Sequence, residues 1–78
     1  MAKLVFLGRL EDVAGLPEMA VQPGPVEQVL ATLDPGLAVQ LLGEKVRMAL
    51  NGRLLTDVGG IVLGQGDELA FLPPVSGG

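Results

Sequence analysis

The chain contains no cysteine and no histidine. No disulfide can staple it and no Cys/His metal site can form. Neither a thiol nor an imidazole is available as nucleophile or general base, which removes most enzyme classes. Tryptophan and tyrosine are also missing and there are only two phenylalanines, so the core must be built from Leu, Val and Ala. Cations are scarce: Lys3, Arg9, Lys45, Arg47 and Arg53 stand against nine carboxylates, for a formal net charge of −4. Nucleic-acid binding needs clustered cations to neutralise phosphates, and this sequence does not supply them. An acidic surface instead suits a basic protein partner, because complementary charge speeds encounter. No apolar run approaches a membrane span. Lys3 is followed by only four apolar residues before Gly8, too few for a secretion signal. The expected location is the cytoplasm.

What remains is 78 residues, 49% hydrophobic and 18% charged, enough for one small globular domain and too little for two. Leu4-Val5-Phe6-Leu7 is a short apolar run and predicts a strand buried on both faces. Arg9 to Gly15 reads as a short helix closed by glycine, and Glu18 to Gln22 as a strand that pairs back on the first. Gly24-Pro25 predicts a helix start with Pro at the first helical position, where its missing N–H costs nothing. Val26, Val29, Leu30 and Leu33 then form one apolar stripe. Asp34 caps a second short helix, with Leu37, Leu41 and Leu42 expected to face inward and Gly43 to end it.

Val46, Met48 and Leu50 alternate with Lys45, Arg47 and Ala49, the pattern of a half-buried strand. Asn51-Gly52 is the strongest short hairpin signal and returns the chain through Arg53-Leu54-Leu55. Lys45, Arg47 and Arg53 are expected on one solvated face of that hairpin. The stretch from Thr56 to Gly66 holds four glycines and reads as loop, with Ile61-Val62-Leu63 dipping into the core. Leu69-Ala70-Phe71-Leu72 is the last strand, and Pro73-Pro74 ends it because proline cannot donate to a sheet ladder. Two wholly apolar strands at the two ends of the chain should lie side by side in the sheet centre. With a helix between pairs of strands, the order predicts an α+β domain: a β-grasp, or ubiquitin-like, roll with a mixed sheet and one main helix across it. The domain covers 1–72 and the tail 73–78.

The tail has its own physics. Two prolines hold it near polyproline II, so it should project, and five residues past Pro73 at ~3.1–3.5 Å each reach roughly 15–18 Å. No charged side chain follows Glu68, which leaves the Gly78 carboxylate as the only charge. Gly77 and Gly78 lack a Cβ and can thread a narrow channel. A carboxylate is thus offered at the end of a thin arm. Asp67 and Glu68, adjacent before a strand, point to opposite faces and read as turn residues rather than an acid/base pair. Gly64-Gln65-Gly66 is no phosphate loop, since neither Lys nor a helix follows it.

The run Gly66-Asp67-Glu68-Leu69-Ala70-Phe71-Leu72-Pro73-Pro74-Val75-Ser76-Gly77-Gly78 resembles the C-terminal signature of the MoaD family, the small sulfur-carrying subunit of molybdopterin synthase. Val5-Phe6, Gly15, Val26-Glu27 and Asn51 agree more loosely, and Glu11-Asp12 departs from the family's common Arg-Glu. The resemblance implies a non-catalytic carrier with no bound cofactor. A ubiquitin-activator-like enzyme would adenylate Gly78 with ATP and magnesium, and a sulfurtransferase would convert it to a thiocarboxylate. The large subunit, in an assembly of two carriers and two large subunits, would accept the tail and pass its sulfur to precursor Z (cyclic pyranopterin monophosphate). Gly78 would carry the sulfur, Gly77 would allow passage, and Pro73, Pro74, Val75 and Ser76 would set reach. Phe71 and Leu72 would serve the partner interface as well as the core. The alternatives are a thiocarboxylate carrier for thiamine, cysteine or tRNA thiolation, a protein modifier joined to lysines through Gly78, or a plain binding module.

Overall fold

The computed structural model describes residues 1–57 and 59–74. The chain opens with β1 (Ala2–Phe6), whose Ala2, Leu4 and Phe6 point into the core. Gly8 turns it into α1 (Arg9–Ala14), and Gly15 closes that helix in the left-handed conformation. β2 (Glu18–Val21) returns antiparallel along β1. β3 (Gly24–Pro25) leads directly into α2 (Val26–Ala31), which buries Val26, Val29 and Leu30. α2 ends where the Thr32 hydroxyl donates to the Val29 carbonyl at 2.6 Å, a local bond that competes with helix continuation. α3 (Pro35–Leu41) starts at Asp34, whose Oδ2 accepts from the Leu37 N–H at 3.2 Å. Pro35 then sits where its missing donor is harmless.

β4 (Arg47–Leu50) and β5 (Arg53–Leu54) form the expected hairpin, with Asn51 at φ 50° and Gly52 at φ 85°, both on the positive side that a two-residue turn requires. β6 (Val62–Leu63) bridges β3, and β7 (Glu68–Leu72) completes the main sheet. That sheet has the order β2-β1-β7-β4-β5, with β7 at its centre, parallel to β1 and antiparallel to β4. The three helices occupy one side, and the core lies between them and Leu4, Phe6, Leu69 and Phe71. The two phenylalanine rings stack at 5.8 Å between centroids, 18° from parallel. The pair adds about 0.5–1.5 kcal/mol beyond its area burial. This is the β-grasp fold, with its helical layer divided into three short pieces.

Five local expectations are corrected. β1 and β7 are buried on one face only, because the helices cover one side of the sheet; Val5, Ala70 and Leu72 remain half-buried on the open side. Pro25 sits one position before the first helical residue. Its backbone is held in the bridge to Val62, and the Val26 N–H donates to the Ile61 carbonyl. Leu33 lies beyond the end of α2 and is only partly buried. Leu42 is 55% exposed at the end of α3, since Leu41 takes the buried position. Arg53 registers with Leu50, on the face opposite Arg47, because successive strand residues alternate. Among the described residues no helix is long and apolar enough to cross a membrane.

Candidate functional site at the root of the tail

The last strand decides where the tail leaves the domain. β7 is hydrogen-bonded on both sides, and the Leu7 N–H extends its pairing by donating to the Phe71 carbonyl at 3.1 Å. The tail therefore starts from the best-held strand of the sheet. Pro73 and Pro74 are half-buried there. Pro73 lies against Gly8, where an added Cβ would come within 2.9 Å of the Pro73 Cγ. Gly8 has φ 55° and ψ −136°, a region closed to residues with a Cβ. Gly8 thus seats the tail, a role the sequence signalled only by ending the first apolar run.

Pro74 borders a groove of about 330 Å³ whose walls include Leu10 and Val13 of α1 and Val46 before β4. Arg9 and Lys45 line the same groove. Arg47 is the register partner of Leu72 on the open face. Glu44 lines that groove as well, so both signs of charge meet beside the exit of the tail. Lys3 lies elsewhere and pairs with Glu18 at 3.4 Å, an exposed contact worth little to stability. A larger groove, about 410 Å³ between β2 and α2, shares no lining residue with the tail root.

Phe71 is fully buried against Phe6. Strand alternation turns its side chain inward, the core part of its expected role. Leu72, one residue on, is half-buried on the open face beside Arg47. Val5, Ala70, Ala49 and Leu54 form one cross-strand row on that same face. Val75, Ser76, Gly77 and Gly78 lie outside the described residues.

Asp67 is a structural carboxylate. Its Oδ2 accepts from the Gly64 N–H at 2.8 Å and its Oδ1 from the Asn51 Nδ2 at 3.1 Å. These donors hold its pKa below the ordinary aspartate value, the Gly64 backbone bond having the larger effect and the Asn51 amide the smaller. Asn51 Oδ1 accepts from the Glu68 N–H at 2.9 Å, and the Asn51 N–H donates to the Glu68 carbonyl at 2.8 Å. Asn51 thereby ties the β4–β5 turn to the start of β7.

The ThiS family model matches residues 4–78. Small archaeal modifier protein 1 from Methanosarcina acetivorans is 28% identical with a TM-score of 0.78, over 99% of this chain and 95% of that one. Its counterpart from Haloferax volcanii is 26% identical with a TM-score of 0.73, over 99% and 98% of the two chains. The Urm1 structure from Sulfolobus solfataricus, at 18% identity and a TM-score of 0.69 over 91% and 97%, shares the fold. No curated protein matches the chain. These similarities reach the wider group of ubiquitin-like carriers and modifiers without singling out the MoaD branch.

Proposed function

Because this chain belongs to the ThiS family, whose members are generally non-catalytic ubiquitin-like carriers, we propose that it carries sulfur on the carboxyl group of Gly78. The observation that supports this reading is the join between β7 and the tail. A central strand ends in Pro73-Pro74, with Pro73 seated on Gly8, and two residues later the sequence reads Gly77-Gly78. Such a join gives a thin, uncharged arm a fixed origin, which suits delivery into another protein's active site. An activating enzyme adenylates Gly78: a carboxylate oxygen attacks the α-phosphorus of ATP, with magnesium, and pyrophosphate leaves. The terminal sulfur of a sulfurtransferase persulfide then displaces AMP to give an acyl disulfide, and a thiol reduces that disulfide, leaving a thiocarboxylate on Gly78 and a disulfide on the reductant.

In the finer form of the proposal the acceptor is precursor Z in the large subunit of molybdopterin synthase. The carrier and large subunit assemble two and two in the cytoplasm, and the large subunit supplies the catalytic residues. Leu72 and the apolar row on the open face offer the contact surface, and Gly77 passes the channel. A second reading, a modifier joined to target lysines through Gly78, is favoured by the name of the two archaeal proteins at 26% and 28% identity.

Alkylation tests both. The chain has no cysteine, so purified from its own cells and treated with a thiol-alkylating reagent it should be labelled at Gly78 alone, as located by fragmentation. Gly78 left unlabelled after incubation with ATP, the activating enzyme and a sulfur donor would sink the carrier reading. A ladder of conjugates on an immunoblot of cell extract would favour the modifier. Molybdopterin formed from precursor Z, large subunit and thiocarboxylated carrier that has not been alkylated would assign the pathway.

A further inference from the structure

We propose that Asn51-Gly52 is a site of spontaneous deamidation, restrained by the bonds of the Asn51 carboxamide to the start of β7, and that the product releases the β4–β5 turn from that strand. The inference does not depend on what Gly78 carries. Asn51 is the chain's sole asparagine and glycine follows it, the residue that least hinders attack by its own backbone nitrogen because it has no Cβ.

The turn leaves the nucleophile free and holds the electrophile. Among the described residues the Gly52 N–H donates to no backbone partner. A Cβ built on Gly52 would meet nothing within 4 Å, so the turn is open on that side. The Asn51 carboxamide is held at both ends instead. Its Nδ2 donates to Asp67 Oδ1 at 3.1 Å, and its Oδ1 accepts from the Glu68 N–H at 2.9 Å. Both partners are distant in the chain, so β7 must be in place before this restraint exists.

In the reaction hydroxide takes the Gly52 amide proton and the nitrogen attacks Asn51 Cγ. The new C–N bond closes a five-membered succinimide, and Nδ2 leaves as ammonia with the bonding pair and a proton. Water then opens the ring at either carbonyl, leaving aspartate or isoaspartate. Ring closure turns Cγ toward the Gly52 nitrogen and expels Nδ2, so both bonds to β7 are given up on the way. Exposed hydrogen bonds of this kind lower the released population roughly threefold to tenfold. The product cannot remake them. A carboxylate at this position has no proton to offer Asp67 and faces it with like charge. The isoaspartyl form also adds a CH2 to the backbone of a two-residue turn, which the Leu50–Arg53 pairing does not accommodate. An aged chain therefore loses the tie between this turn and the strand that carries the tail.

The test incubates the full chain in mildly alkaline buffer well below its melting temperature, beside an unstructured peptide with the sequence of residues 50–54. Intact mass with fragmentation reads the exchange of NH for O at Asn51, and ion exchange reads the added negative charge. The chain should react at Asn51, faster as pH rises, and more slowly than the peptide. Asp67→Ala should speed the reaction roughly threefold to tenfold. Hydrogen exchange of the Glu68 amide should rise in step, with exchange of the buried Phe71 amide unchanged. Asp67→Asn, which keeps an acceptor oxygen, should fall between and decides the matter if Asp67→Ala does not fold. Asn51→Asp should melt below the parent at neutral pH, and the gap should narrow as pH falls through the carboxylate range. No reaction at Asn51 over many half-lives of the peptide, or a rate equal to the peptide's, would overturn the proposal. So would Asp67 variants that react no faster than the parent, or a gain matched by equal loosening of the Phe71 amide, which would mark opening of the whole domain.

Discussion

Replacing Gly8 by alanine should strain the one point where the first strand, the first helix and the tail meet. Two costs arise at this site. An L-residue held at φ 55° and ψ −136° is strained by about 1–3 kcal/mol. The new Cβ would also sit 2.9 Å from Pro73 Cγ, a ring atom with little freedom to retreat, so the tail root must shift. A domain of 78 residues has a total stability of about 4–12 kcal/mol, so the strain alone is a sizeable share. Its unfolding entropy is near 0.16 kcal/mol/K, and 1–3 kcal/mol lowers the melting temperature by about 6–18 °C. Circular dichroism melts would read this directly. Pro73→Ala removes the clashing atom, so the double variant should be more stable than the two single losses predict, with a coupling of at least about 0.5 kcal/mol. A Gly8→Ala melt within about 3 °C of the parent, or a strictly additive double variant, would refute the seating of the tail on Gly8.

Three further outcomes separate fold from function. Phe71→Ala should cost about 3–5 kcal/mol and leave much of the chain unfolded by circular dichroism. Leu72→Ala, on the open face of the same strand, should cost under about 1 kcal/mol in denaturant titration and weaken binding to the activating enzyme. Asp67 titrates below its ordinary value, so its contribution is fully present above its unfolded pKa near 3.9. That contribution is lost as pH falls through the lower folded value. Melts between pH 5 and pH 2 should therefore show a steeper loss for the parent than for Asp67→Asn, and parallel curves would argue against the Gly64 and Asn51 bonds. Deleting Gly77 and Gly78 should abolish thiol labelling while leaving the melting temperature unchanged; activity retained without them would mark a plain binding module.

Local chemistry was legible in the amino-acid order. Asn51-Gly52 specified its turn through the positive φ of both residues, and Asp34-Pro35 specified a helix start through a cap and a missing donor. Pro73-Pro74 marked the end of the last strand. Two apolar strands at the chain ends, with helices between, were enough to place β1 beside β7 and so to indicate the β-grasp roll. With neither cysteine nor histidine in the chain, the Gly78 carboxylate after Gly77 is the reactive group the sequence offers. Each of these rests on a residue's own dihedral limits or on a short repeat of hydrophobicity.

Tertiary structure alone decided what lies between distant segments. Leu4-Val5-Phe6 and Leu69 to Leu72 read alike on both faces, and only the placement of the helices on one side made Phe71 core and left Leu72 beside the solvent. Leu42 lost the inward position to Leu41 for the same kind of reason, since neighbours from other segments fill the space. Arg53 parted from Arg47 once register set which residue faced Leu50. Gly8 met Pro73, and Lys45 came to share a groove with Pro74. These are meetings of residues far apart in the chain, and no local propensity encodes them. The carboxylate was written in the sequence; the seat from which it departs exists only once β7 is closed between β1 and β4.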